Sequence, residues 1–259
     1  MPKMRLDVYL LENGLVESRS LAQRLVMAGM VRVNGQLELK PSTSVNSDDE
    51  IILEQGPRFV SRGGEKLEAA LQAFKIDVNG RICADVGAST GGFTDCLIQN
   101  GAKRVYAIDV GKGILHWKLR QMAEVVVMEQ TNARYVEKLP EAVRFLSIDA
   151  SFISLKTLLP VVKNWLAIPA EIVTLIKPQF EAGRKEVSRG DGVIRDPEIH
   201  RQVLLEILNF AQIHGFGTRG LIRSPILGPK GNVEFLAWFK VPSPDLDIKE
   251  LVENAMIEL

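Results

Sequence analysis

The sequence predicts an α/β chain, with a Rossmann-like, mostly parallel sheet that ends in an antiparallel hairpin and follows a small α+β domain. Three observations predict it. Beyond about residue 65, short apolar runs alternate with helix-length stretches, the pattern of parallel strands covered on both faces. The last two apolar runs are joined by a Gly/Pro-rich loop too short for a crossover helix, so they must pair antiparallel. The first 60 residues instead show two short helical patterns followed by strands and turns.

In chain order, Leu6, Tyr9 and Leu10 have helical spacing, and Gly14 ends that helix. Ser18 caps a second helix with Leu21, Ala22, Leu25 and Val26 on one face, closed by Gly29. Val31–Val33 alternates as a strand, Asn34-Gly35 signals a hairpin turn, and residues 41–50 read as a polar loop before a strand at Ile51–Leu53. The stretch from Gln55 to Gly64 reads as the joint, dividing the chain into domains 1–60 and 61–259. The large domain should contain strands Arg81–Val86, Val105–Asp109, Val125–Met128, Phe145–Asp149, Ile172–Ile176, Phe216–Ser224 and Val233–Lys240, with a short acidic helix after Asp247.

Composition narrows the function classes. The 259 residues carry a net charge of zero, so any nucleic-acid site must be a local patch. Cys83 and Cys96 are too few and too far apart for a disulfide framework or a metal site, and both are expected to be buried thiols. Asp7, Glu12 and Glu17 break up the first twenty residues, no apolar run approaches the roughly 18 residues of a membrane span, and a cytoplasmic protein is expected. Nothing in the sequence sets the oligomeric state.

Asp85-Val-Gly-Ala-Ser-Thr-Gly-Gly-Phe93 follows the first long strand and opens a helix, where glycines let backbone amides approach a ligand. Ser89 stands where a dinucleotide fingerprint needs its second glycine, which disfavours NAD or FAD. Asp85 offers a carboxylate suited to a cationic amino-acid group, and Asp109, about twenty residues beyond the loop, suits a ribose. An ammonium end, a ribose and no phosphate describe S-adenosylmethionine. The expected contacts are Asp85, Gly87, Ala88, Ser89, Gly91, Gly92, Phe93, Asp109, Val110 and Asp149. Asp149 and Lys177 end two further strands at the same sheet edge, where an acceptor hydroxyl would lose its proton. Lys177 can act there as a base or as a charged group stabilising an alkoxide, and the sequence leaves both open.

Ser61-Arg-Gly-Gly-Glu-Lys-Leu67, the Asp85–Phe93 loop, Ser147-Ile-Asp-Ala150, Leu175-Ile-Lys-Pro178 and Asn232-Val-Glu-Phe-Leu236 together resemble the TlyA family, over nearly the whole chain. The resemblance implies an FtsJ-type ribose methyltransferase domain, with a Lys-Asp-Lys-Glu catalytic set at Lys66, Asp149, Lys177 and Glu234. It also implies cytidine 2′-O-methylation of ribosomal RNA, in the free RNA or in ribosomal subunits. Asp149-Ala-Ser-Phe152 departs from the Asn-Pro-Pro-aromatic signature of base amino-group methylation.

Residues 3 to about 60 resemble the S4-type RNA-binding domain, through Arg5-Leu-Asp7, Ser18-Arg-Ser20, Ala22, Gly29 and Val31-Arg-Val-Asn-Gly35. Lys3, Arg5, Arg19 and Arg24 can present a basic face to phosphates, although residues 1–40 hold only six Lys/Arg against four Asp/Glu. Arg62 joins them, as do Arg184, Lys185 and Arg189 in a long charged loop over residues 178–197 expected to close on RNA. Two rival readings remain: an RNA-binding assembly factor with an inactive methyltransferase domain, and a membrane-active haemolysin, which would need an apolar or amphipathic segment that the sequence does not show.

Overall fold

The computed structural model describes residues 3–54, 56–183, 192–242 and 246–257. Chain contacts divide it into two units, Met1–Arg58 and Phe59–Leu259. In the first, helices α1 (Leu6–Glu12) and α2 (Arg19–Met27) pack through Leu6, Leu10, Ala22 and Val26, which are fully buried. Ser18 caps α2 by accepting from the Leu21 amide at 3.2 Å. The Asn34-Gly35 turn has φ values of 52° and 77° and joins strands Val31–Val33 and Gln36–Glu38, the hairpin its dipeptide signals. Ile51–Leu53 pairs on the other side of Val31–Val33. One element departs from the expected polar loop. Ser44–Val45 pairs antiparallel with Met4–Arg5, a two-residue ladder too short to leave an alternating pattern.

The second unit is built on a seven-stranded sheet. Its strands, in chain order, are β6 (Ile82–Val86), β7 (Arg104–Ile108), β8 (Val125–Met128), β9 (Val143–Ile148), β10 (Leu166–Ile176), β11 (Gly217–Arg223) and β12 (Phe235–Val241), counting the five short strands of the first unit as β1–β5. The spatial order is β11-β12-β10-β9-β6-β7-β8. β6 to β10 are parallel, and β12 runs antiparallel between β10 and β11, so the final hairpin forms the sheet edge as the short loop requires. Alternate residues face opposite layers. Ala84, Val86, Leu146, Ile148 and Ile172 pack beneath α6 (Leu155–Val162), α8 (Pro197–Ile213) and α9 (Ile248–Ile257). Cys83, Phe145, Val173 and Leu175 pack beneath α3 (Gly63–Ala73) and α4 (Gly92–Gln99). β10 begins six residues before its expected start, because Leu166 pairs with Val143 ahead of an irregular register at Pro169.

β6 and β9 are neighbours although two strands separate them in sequence. The order in which strands are added to the sheet therefore reverses between them, and a crevice opens at their carboxyl ends.

Candidate functional site

Five elements deliver polar groups to that crevice. The loop after β6 carries Gly87, whose φ is +82°, and a Cβ there would sit 2.6 Å from the Asp149 carbonyl oxygen. Glycine thus lets the loop close onto the end of β9, where the Asp149 amide donates to the Val86 carbonyl at 2.8 Å. α3 lies close against α4 because Gly64 and Gly92 meet without side chains; a Cβ on Gly92 would come within 2.8 Å of the Gly64 nitrogen. This approach carries Lys66, on α3, to the sheet edge.

The cavity there measures about 660 Å³. It is lined by Ser61, Arg62, Lys66, Gly87, Ala88, Ser89, Gly92 and Phe93, and by Asp149, Ser151, Phe152, Lys177, Gln179, Phe180, Asn232 and Glu234. Lys66, Asp149, Lys177 and Glu234, 168 positions apart in sequence at their extremes, stand together as two ion pairs. Lys66 Nζ donates to Glu234 Oε2 at 2.6 Å, and Glu234 is only 1% exposed. Lys177 Nζ lies 2.5 Å from Asp149 Oδ1 and 3.0 Å from Ser151 Oγ. Burial pushes the Asp149 carboxyl above the ordinary carboxylate range, and Lys177 and Lys66 pull it back in part.

Four expected cofactor contacts do not line this cavity. Asp85 is fully buried beneath the loop, accepting from Thr94 Oγ1 at 2.7 Å and Ser147 Oγ at 2.9 Å. Its register opposite Ser147 points its side chain into the α3/α4 layer, where it fastens the loop from beneath. Burial, eased in part by those hydroxyls, raises its carboxyl to about 7. Gly91 packs against Leu115 and Leu119. Asp109 meets the loop, but its two oxygens already accept from the Ser89 amide at 2.8 Å and the Gly111 amide at 2.7 Å. Val110 is 68% exposed beside it.

The basic residues divide similarly. Arg62 lines the cavity. Arg5 and Arg19 do converge, but on the buried Asp7 carboxylate, each through Nε at 3.0 Å. Their pairing with Arg5 first, helped by Gln23 and Arg19, holds the Asp7 carboxyl well below the usual range. The N-terminal face is therefore less basic than a count of its arginines suggests. Lys3 and Arg24 are exposed. Arg184, Lys185 and Arg189 lie outside the described residues.

Several lining residues were not among the expected site residues, although the quoted motifs contain or adjoin them. Phe152, at φ +64°, is 90% exposed, and its ring lies 4.9 Å from that of Phe180. Gln179 Nε2 donates to Glu234 Oε1 at 3.1 Å. Asn232 ties Gly192 and Ile194 to the turn before β12, through two 3.0 Å bonds. All stand within three residues of a quoted motif residue, which is the signal that proximity offered.

Comparison with known proteins fits this geometry. The model of the FtsJ-like methyltransferase family matches residues 59–241, and that of the S4 domain matches residues 4–51. The 16S/23S rRNA (cytidine-2′-O)-methyltransferase TlyA of Mycobacterium tuberculosis is 43% identical over 92% of this chain and 90% of its own. Hemolysin A of Brachyspira hyodysenteriae is 44% identical over 91% of this chain and 99% of its own. A solved structure provisionally described as a hemolysin from Streptococcus thermophilus superposes with a TM-score of 0.74 at 47% identity, covering 100% of this chain and 97% of that one. Among the described residues, no helix is long and apolar enough to cross a membrane. A family model spanning the sheet and both ion pairs, joined to relatives matched almost end to end, shows that the chain belongs to the TlyA family of FtsJ-like methyltransferases.

Proposed function

We propose that this chain methylates a ribose 2′-hydroxyl of ribosomal RNA, on a cytidine, with S-adenosylmethionine as donor. One observation carries the reading: two buried ion pairs, Lys66–Glu234 and Asp149–Lys177, face one cavity beside the glycine loop. The cytidine is assigned by analogy with the M. tuberculosis relative.

The residues fit the donor. The cavity of about 660 Å³ suits a nucleoside-sized ligand. Its acidic groups suit a cation, and Asp109, beside the loop though outside this cavity, keeps lone pairs for ribose hydroxyls beyond the two amides it holds. When bound, S-adenosylmethionine supplies an electrophilic methyl group on a cationic sulfur. The chain's own residues hold the acceptor oxygen and manage its proton. Lys177, pinned by Asp149 and Ser151, is placed to stabilise the developing alkoxide. Lys66 adds a second ammonium with one of its three hydrogens spent on Glu234. Asp149, held above the ordinary carboxylate range by burial, is the group to accept the hydroxyl proton. Phe152, exposed at the lip, offers a ring on which the target base stacks once it leaves its helix.

The test is transfer of labelled methyl from S-adenosylmethionine to unmodified ribosomal RNA and subunits, with Lys177→Ala as control. Label on ribose 2′-oxygens that disappears in the control is the expected result. Label mapped to a base atom overturns the chemistry, and no transfer to any RNA favours a non-catalytic assembly role.

A further inference from the structure

The helical turn α7, Pro178–Glu181, directly follows Lys177, and three consecutive side chains leave it in three directions. Gln179 reaches Glu234. Phe180 meets the Phe152 ring, with Lys177 Nζ 5.8 Å from its own ring centre. Glu181 accepts from Ser154 Oγ at 2.6 Å and from the Leu155 amide at 2.8 Å. One turn therefore touches both arms of the candidate site.

We propose that Gln179 and Glu181 are positioning residues for methyl transfer. Gln179 acts through Glu234 on Lys66, and Glu181 acts through Ser154 on the segment bearing Asp149, Ser151 and Phe152. This rests on the function proposed above.

The Gln179 arm follows from satisfied and unsatisfied atoms. A carboxylate only accepts hydrogen bonds, so the Gln179 amide must turn its NH₂ toward Glu234. Both Glu234 oxygens are then filled, one by Gln179 and one by Lys66. Gly228 closes the third side, since a Cβ there would lie 3.0 Å from the Glu234 carboxyl carbon. Glu234 is thus held on three sides, and the Lys66 ammonium is aimed by it. The same orientation leaves Gln179 Oε1 enclosed with no partner among the described residues. A buried carbonyl of that kind is destabilising, and a leucine of similar volume would avoid the cost. An amide kept there despite that cost points to orientation of the ion pair.

The Glu181 arm follows from where the Asp149–Ser154 segment is fastened. At one end the Asp149 amide is bonded to Val86. At the other, Ser154 caps α6, accepting from the Lys156 amide at 3.1 Å, and donates its own hydroxyl to Glu181. Between them Phe152 sits at φ +64°, a conformation rare and strained for a bulky residue. Such strain persists only where the surroundings over-determine the backbone, and Glu181 supplies the second fastening.

The two arms predict different kinetics in the full-length protein. Gln179→Leu is expected to lower kcat about tenfold, with KM for RNA and Kd for S-adenosylmethionine within about twofold of wild type. Glu181→Leu is expected to raise KM for RNA about tenfold by loosening Phe152, and Glu181→Gln, which keeps one acceptor oxygen, to recover part of it. Thermal unfolding of each variant is measured alongside. Unchanged kinetics in either variant overturns its arm. A uniform loss of kcat, RNA affinity and donor affinity that tracks a lower Tm overturns both, because it marks a purely structural role. Failure of wild type to methylate RNA would instead overturn the proposed function.

Discussion

Lys66 and Glu234 form a buried ion pair at 2.6 Å, and neither is exposed enough to be held by solvent. Removing the charge from one strands the other in a low-dielectric site, a loss of about 3–5 kcal/mol when a buried pair is broken. Glu234→Gln should therefore reduce turnover by at least about a hundredfold through misplacement of Lys66, while calorimetry of S-adenosylmethionine binding changes little. Equal weakening of both would place Glu234 in the donor site instead. Asp85 predicts a different signature. Its folded value of about 7 lies above the ordinary carboxylate value, so the folded state binds its proton more tightly than the unfolded chain. Its stabilising protonated form is fully present below pH about 4 and is lost as pH rises through 7. Asp85→Asn, which cannot ionise, should match wild type near pH 4 and melt higher than wild type at pH 8. A difference in Tm that does not change with pH would refute the ionisation of Asp85 as its source.

Elements meet at this site because small residues permit it. Gly64 faces the Phe59 ring so closely that a Cβ would overlap it, and Gly92 meets Gly64 across the α3–α4 contact. Gly64→Ala should lower stability by about 1–3 kcal/mol through overpacking, or roughly 2–12 °C in Tm for a unit of this size. Because α3 carries Lys66, methyl transfer should fall further than the residual folded fraction explains; activity that simply follows folding would contradict the geometric link. In the first unit, Asp7 fastens Arg5, Arg19 and Gln23 to one carboxylate. Asp7→Ala should destabilise that unit by about 2 kcal/mol, seen as a lower midpoint in urea. An unchanged midpoint would mean that the half-exposed arginines gain as much from water.

At the scale of the whole chain, each unit has its own apolar core: Leu6, Leu10, Ala22 and Val26 belong to one, and the two faces of the sheet to the other. A fragment of residues 59–259 should then bind S-adenosylmethionine as the intact protein does, but methylate ribosomal RNA more slowly by about a hundredfold or more, chiefly through KM. Equal RNA kinetics would remove the N-terminal unit from substrate recognition. Since Arg5 and Arg19 already share Asp7, the salt dependence of RNA binding should report few phosphate contacts from that unit.

Sequence alone determined the alternation of strands and helices, the final antiparallel hairpin, the glycine loop and the ligand class that suits it. Each of these depends on local periodicity or on residues adjacent in the chain, such as Asn34-Gly35 or the loop from Asp85 to Phe93. Family resemblance alone placed Lys66 and Glu234 in the site, because an isolated lysine on a helix and a glutamate before a strand carry no pattern. Only the tertiary structure decided that Asp85 faces the interior and that Arg5 and Arg19 spend their charge on Asp7. It also decided that Gln179 and Glu181 hold the two arms together. The physical reason is common to all of them. A strand's parity sets which layer a side chain enters, and the partner that neutralises or orients it arrives from elsewhere in the chain, 168 residues away for Lys66 and Glu234.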